Sequence, residues 1–259
     1  MRYLVGLILA LGAMACSEMS GTGGGAGDGG SAGVGGGGGD GGQGGTATLS
    51  IFVFETPAEG GIRPLEGLQL CETDTANCVL TDVDGTAELG LPVDREISYT
   101  WEKEGYVKVL RADILSADGS YVPSNVSTDA RMAARFDALM SPYPMEGTGV
   151  IYAQAFSDEL GVHPIPDATF ELVGATGKAF NVDDDGDWTL DLTATSSQGS
   201  GGFVEVSPGE HELKVGGGAV KNCQVLRGWP SDSENTMTVP VRAGYMTITR
   251  FYCPAELKV

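Results

Sequence analysis

From Thr46 onward, hydrophobic and polar positions alternate with a period near two, the pattern of strands with one buried face. Leu49-Ser50-Ile51-Phe52-Val53-Phe54 opens the series. Leu68-Gln69-Leu70, Val79-Leu80, Ala87-Glu88-Leu89-Gly90-Leu91, the run Glu96 to Trp101 and Val107-Lys108-Val109-Leu110 follow. Turn chemistry separates them: Asp84-Gly85 supplies a positive-φ position, Pro92 ends a strand, and Glu104-Gly105-Tyr106 turns the chain again. The second half repeats the order. Val150 to Phe156 is its first strand, and His163-Pro164-Ile165-Pro166 leads into Asp167 to Leu172 as Pro64 to Gly67 leads into Leu68 to Leu70. The stretch Thr195 to Gly209 answers Thr81 to Pro92, and His211 to Val215 answers the Tyr99 strand. An insertion, Gly174 to Leu192, marks the second copy. Many short strands at regular spacing predict an all-β fold of two tandem β-sandwiches, over residues 46–123 and 146–259.

The period changes once. Between Ser127 and Met140, the residues Met132, Phe136, Leu139 and Met140 fall at helical spacing on one face. Ser127 or Thr128 can cap the start and Pro142 stops it. Residues 124–145 are therefore expected to be a connecting helix and linker, with Ser141-Pro142-Tyr143-Pro144 as the joint.

The start of the chain follows other rules. Met1-Arg2 precedes an apolar run from Tyr3 to Leu11, then Gly12-Ala13-Met14-Ala15 and Cys16. This reads as a signal peptide over 1–15, too short to span a bilayer as a helix. A cysteine directly after the small-residue step resembles the bacterial lipoprotein signal, although Ala13 stands where that signal usually has leucine. The resemblance implies lipidation of Cys16. With Ser17 rather than aspartate next, it also implies export to the outer membrane or cell surface; a plain secretory signal cut after Ala15 is the alternative. Of the 41 glycines in 259 residues, 17 lie between Gly21 and Gly45. So little apolar surface cannot offset chain entropy, so residues 16–45 read as anchor and flexible tether, spanning roughly 30 Å on average.

Charge excludes some partners. With 15 Lys+Arg against 35 Asp+Glu the chain carries −20, and each half from Thr46 onward holds 16 acids and 7 bases. Such a chain lacks the basic surface that nucleic acid requires, and it would meet a membrane only through its lipid. Cys16 aside, Cys71, Cys78, Cys223 and Cys253 form an even set, as expected of two disulfides in an exported protein. Three connectivities exist. The local one, Cys71–Cys78 and Cys223–Cys253, gives each half one bridge and is preferred; no CxxC spacing points to zinc or redox work.

Thr81, Gly85, Leu91-Pro92 and Gly105-Tyr106 in the first copy, with Ala168, Ser207-Pro208-Gly209 and Leu213 in the second, resemble the carboxypeptidase regulatory-like domain. The resemblance implies a small transthyretin-like sandwich that serves as an accessory module without its own catalysis.

Candidate chemistry is sparse. Asn181, Asp183 and Asp185 alternate before Gly186, with Asp187 next, as in the opening of an EF-hand calcium loop; the closing position falls on Leu192, and a solvated acidic turn is the competing reading. Asp82-Val83-Asp84-Gly85 is a weaker version. Calcium is the sole cofactor suggested. Tyr99, Trp101, Trp188 and Trp229 could form a glycan platform or fill sandwich cores. Two histidines and no nucleophile or phosphate-loop motif argue against an enzyme. The expectation is a non-catalytic, surface-tethered module that contacts a protein or glycan, with a calcium-stabilised carbohydrate-binding or adhesion module as alternative and a hydrolase as a remote third.

Overall fold

The computed structural model describes residues 45–57, 60–218 and 220–254. The leader, Cys16 and the glycine-rich tether lie outside them. The first half folds as β1 (Thr46–Glu55), β2 (Arg63–Pro64), β3 (Gln69–Glu72), β4 (Cys78–Leu80), β5 (Thr86–Pro92), β6 (Glu96–Glu102), β7 (Val109–Ile114) and β8 (Ser120–Asn125). Helix α1 (Asp129–Ala138) follows. The second half contributes β9 (Gly149–Phe156), β10 (Thr169–Val173), β11 (Lys178–Val182), β12 (Trp188–Thr189), β13 (Ser200–Val206), β14 (Gly209–Gly216), β15 (Gln224–Arg227), β16 (Trp229–Pro230), β17 (Thr236–Val241) and β18 (Met246–Tyr252). The fold is all-β apart from α1, with sheets stacked as in β-sandwiches.

The two halves share one plan. In the first, β1 pairs antiparallel with β5 and parallel with β8, so Leu49, Ile51 and Val53 face inward beside Leu89, Leu91 and Val122. The opposite layer is β4-β3-β6-β7. In the second, β9 pairs antiparallel with β13 and parallel with β18, and the opposite layer is β10-β14-β17-β16.

The likeness extends to single atoms. The Thr81 hydroxyl donates to the Leu65 carbonyl and accepts from the Leu68 amide at 2.9 Å. The Thr195 hydroxyl donates to Ile165 O at 2.9 Å and accepts from Ala168 N at 3.0 Å. Four residues after each threonine, Gly85 and Gly199 adopt positive φ where a Cβ would press on the backbone oxygen of Val53 or Ala155. Both threonines are buried, and each ties the proline-containing loop to the start of the next strand.

The halves are not separated by an open joint. Met246 and Thr247 of β18 pair in parallel with Val109 and Leu110 of β7. The facing layer of the first half and the central layer of the second thus form one ten-stranded sheet, ordered β12-β11-β13-β9-β18-β7-β6-β3-β4, with β15 also on β18. Strand alternation then gives this sheet two occupied faces. Ile151, Ala153, Ala155 and Phe251 point into the second core, while Tyr152, Gln154, Ile248 and Arg250 point the other way, toward β8 and α1. The insertion forms the β11–β12 hairpin, which lengthens the sheet and stacks Trp188 on Phe180 at 4.1 Å.

Helix α1 starts where Thr128 accepts from the Arg131 amide, and it buries Met132, Phe136 and, just past its end, Leu139. Met140 departs from the expected apolar face: it is 77% exposed. The helix has already closed, with Ser141 N–H on Phe136 O and Met140 at φ +51°, a left-handed C-terminal position that turns its side chain outward.

Candidate functional site

Burial overturns the aromatic platform. Tyr99 and Trp101 are 0% exposed, because β6 lies inside the ten-stranded sheet and both faces of that strand are covered. Tyr99 donates its hydroxyl to Asp113 Oδ2 at 2.5 Å, and burial pushes its pKa well above the ordinary value. Trp188 is buried in the stack with Phe180, Tyr152 and Phe136. Trp229 is half-buried, with Nε1 donating to Ile97 O at 2.9 Å across the two halves. These rings hold the core and the seam together and do not form the exposed platform expected from the sequence.

The acidic loop is likewise occupied with its own backbone. Asp183 Oδ1 accepts from the amides of Asp185 and Asp187 at 3.0 and 2.9 Å, closing the β11–β12 turn. Asn181 turns its amide to Leu192 O, and Asp184 accepts from the amide and hydroxyl of Ser197, which hold its pKa below the usual range. Among the described residues no cluster of three or more His, Cys, Asp or Glu is placed to hold a metal ion. Asp183, Asp185 and Asp187 of the expected calcium set form no such cluster, and the Asn181 side chain is bonded to Leu192 O. Asp82 closes the β4–β5 turn in the same way, accepting from Asp84 and Thr86. The two disulfides are Cys71–Cys78, directly opposite across the β3–β4 hairpin, and Cys223–Cys253.

Two concave surfaces stand out. A broad groove of about 1050 Å³ runs between the β6–β7 turn and the segment after α1. Several of its charged and phenolic groups are paired with one another. Glu102 takes the Tyr245 hydroxyl and Lys108 Nζ at 3.0 Å, Tyr143 donates to Asp129, and burial with the Glu102 bond pushes Tyr245 up to about 12.

The second is smaller and differently built. A cavity of about 340 Å³ lies at the seam, floored by β7, β9, β15 and β18 and walled by β8, α1 and the tip of β12. Five arginines line it: Arg111, Arg131, Arg135, Arg227 and Arg250. They are five of the eight arginines among the described residues, and no Asp or Glu shares the lining in a chain with 35 acids. Among the described residues none of the five has a carboxylate within ion-pair distance. Arg111 is 1% exposed, and its Nε and Nη2 have no hydrogen-bond partner. It lies over Trp101 at 5.3 Å, a cation–π contact that offsets part of the buried charge and supplies no acceptor. Arg250 Nη2 reaches Gln154 Oε1 at 3.1 Å while its Nε is unpartnered, and Arg135 touches Ser127 Oγ at 3.4 Å and lies 5.3 Å over Trp188. Burial lowers the pKa of Arg250 and of Arg135, and a neighbouring arginine (Arg111 and Arg131, respectively) lowers each further.

The motif reading missed this site because the five residues are far apart in sequence. A signal was nonetheless present: Arg111 and Arg250 sit at inward positions of apolar strand runs, and Arg131 and Arg135 share one helix face at i, i+4. Chemically, the site can bind an anion; it holds no nucleophile with an adjacent base.

No protein-family model matches the sequence, and none of the curated proteins is similar to it. Among solved structures, the chain is similar to the Bacillus anthracis TIE protein (14% identity, TM-score 0.24), covering 80% of this chain and 34% of that one. It is similar at the same identity and TM-score to a minor pilin of Streptococcus agalactiae, over 82% of this chain and 98% of the pilin. The major pilin subunit BcpA of Bacillus cereus is 10% identical at TM-score 0.23, over 79% and 69%. The chain spans about a third of the length of the TIE protein. Likeness at this level says nothing of activity or partners, and the sandwich architecture rests on the strand pairings themselves.

Proposed function

We propose that the protein is a non-catalytic module displayed at a bacterial cell surface, anchored through lipidated Cys16 and held off the membrane by the glycine-rich tether, where it contacts a protein or glycan partner. The observation that carries the reading is the ten-stranded sheet through which both sandwiches share strands. Two small domains on a linker would flex. Joined through β7 and β18, with a disulfide in each half, they make a rigid body suited to presenting a surface at the end of a flexible leash. The transthyretin-like resemblance of both copies supports an accessory role, and the lipoprotein-like leader supports the anchor.

Labelling of intact cells with a palmitate analogue tests it, together with protease shaving. The label should enter the wild-type protein and be absent from Cys16→Ser, while shaving removes the folded part from wild-type cells. A label that persists in Cys16→Ser, or a protein untouched by external protease, defeats the reading.

A further inference from the structure

We propose that the seam cavity binds a tetrahedral oxyanion, the phosphate or sulfate group of a small ligand. This inference stands on the cavity alone and survives if the anchoring reading fails.

Arg111 starts the argument. A guanidinium removed from water loses hydration that only hydrogen-bond acceptors or a counter-charge restore, so buried arginines are paired. This one is 1% exposed, two of its nitrogens are unsatisfied, and it lines an open volume. Asp113, two residues along the strand, is engaged by the Tyr99 hydroxyl and makes no ion pair with it. The unsatisfied Nε of Arg250 is a second, independent donor on the same lining. Arg131 and Arg135 come from the helix wall, and Arg227 from β15. Acids near the site, Asp113 for Arg111, Asp187 for Arg135 and Asp158 for Arg250, act through space without an ion pair.

Five guanidinium groups from four elements fit an anion with several oxygens and more than one charge. A planar carboxylate saturates a single arginine fork, whereas a tetrahedral group presents oxygens in every direction. The volume exceeds that of a bare phosphate, and Tyr152 and Trp188 line the remainder, so an ester carrying a small ring would also fit.

Isothermal titration of the full chain, at ionic strength fixed with sodium chloride, uses inorganic phosphate, inorganic sulfate, glucose 6-phosphate and glucose. Single-site binding of the anions, with none of glucose, is expected. Equal affinity for free phosphate and its ester identifies an inorganic ligand; tighter ester binding identifies an esterified one. Arg111→Met should weaken binding about 10- to 100-fold, the value of a charged hydrogen bond converted to affinity. The same variant should still unfold in one cooperative transition, because methionine replaces the buried stem and removes two unsatisfied nitrogens, at the cost of the Trp101 contact and the through-space attraction of Asp113. Arg135→Gln, on the partly exposed wall, should weaken binding about tenfold with the fold intact. No binding of either anion or the ester at about 10 mM, or unchanged affinity in both variants, overturns the proposal. So does a signal that sodium chloride reproduces.

Discussion

Replacing Thr81 with valine changes one atom and leaves the side-chain volume almost unchanged, so its effect isolates the hydroxyl. In the native chain that hydroxyl satisfies the Leu65 carbonyl and the Leu68 amide, and Thr81 is 3% exposed. Valine leaves one buried donor and one buried acceptor without partners, each costing about 1–3 kcal/mol. The sum, softened by the partly exposed loop that carries Leu65, is about 3 kcal/mol, a shift of roughly 100-fold in the unfolding equilibrium. Thr81→Ser keeps both bonds and loses one methyl, about 1 kcal/mol. Urea titration of the three proteins, followed by tryptophan fluorescence, measures the difference. The reasoning also fixes a second outcome. Because β7 and β18 join the halves, Thr81→Val and the equivalent Thr195→Val should each move one shared transition. Thr81→Val no more costly than Thr81→Ser would refute the hydrogen-bond account. Two separate transitions would refute the shared sheet as a cooperative element.

Three further outcomes follow from the same structure. Cys223→Ser with Cys253→Ser removes a bridge between residues 30 apart, against 7 for Cys71–Cys78, so it should cost more, about 3 kcal/mol against about 2 in chemical denaturation. Met140→Gly relieves a left-handed backbone at an exposed position and should stabilise by about 0.5 kcal/mol after the entropy of the unfolded glycine, read as a small rise in Tm. Burial raises the Asp113 pKa above its ordinary 3.8, with Arg111 and the Tyr99 hydroxyl opposing. The unfolded chain therefore releases this proton first, and stability falls as pH rises from about 3.8 toward the folded value. Asp113→Asn, which can still accept from Tyr99, should be at least as stable as wild type at pH 7 and show a flatter profile as pH rises above the ordinary carboxylate value; a loss at pH 7 with an unchanged profile counts against it.

The strands with clean alternation, β1, β5, β6, β9 and β14, were legible in the sequence, and so was the helix around Met132 and Phe136. Period-two burial is a local property that local sequence records. The strand β8 was not legible, because Pro123 breaks its pattern; it is tolerated where β8 pairs only with β1. Nor was β18: Thr247 and Thr249 are 0% exposed, and buried threonines read as polar positions. The seam followed from β18 and was hidden with it. The candidate sites failed for a related reason. Tyr99 and Trp101 alternate with polar Ser98 and Thr100, and that pattern cannot distinguish a core face from an exposed one. The arginine cavity unites residues from β7, α1, β15 and β18, so only tertiary structure brings them together.

The pairing of Met246 with Val109 has a temporal consequence. A chain delivered from its N-terminus exposes β7 and β9 as bare edges for more than a hundred and for nearly a hundred residues, respectively, before β18 arrives to hydrogen-bond with both. Naked edges recruit strands from other chains, and closing such distant contacts is slow. Residues 246–252 therefore act as a completion signal. Until they dock, the first half waits half-finished, and the interval between its synthesis and that docking is when the protein most needs protection from its neighbours.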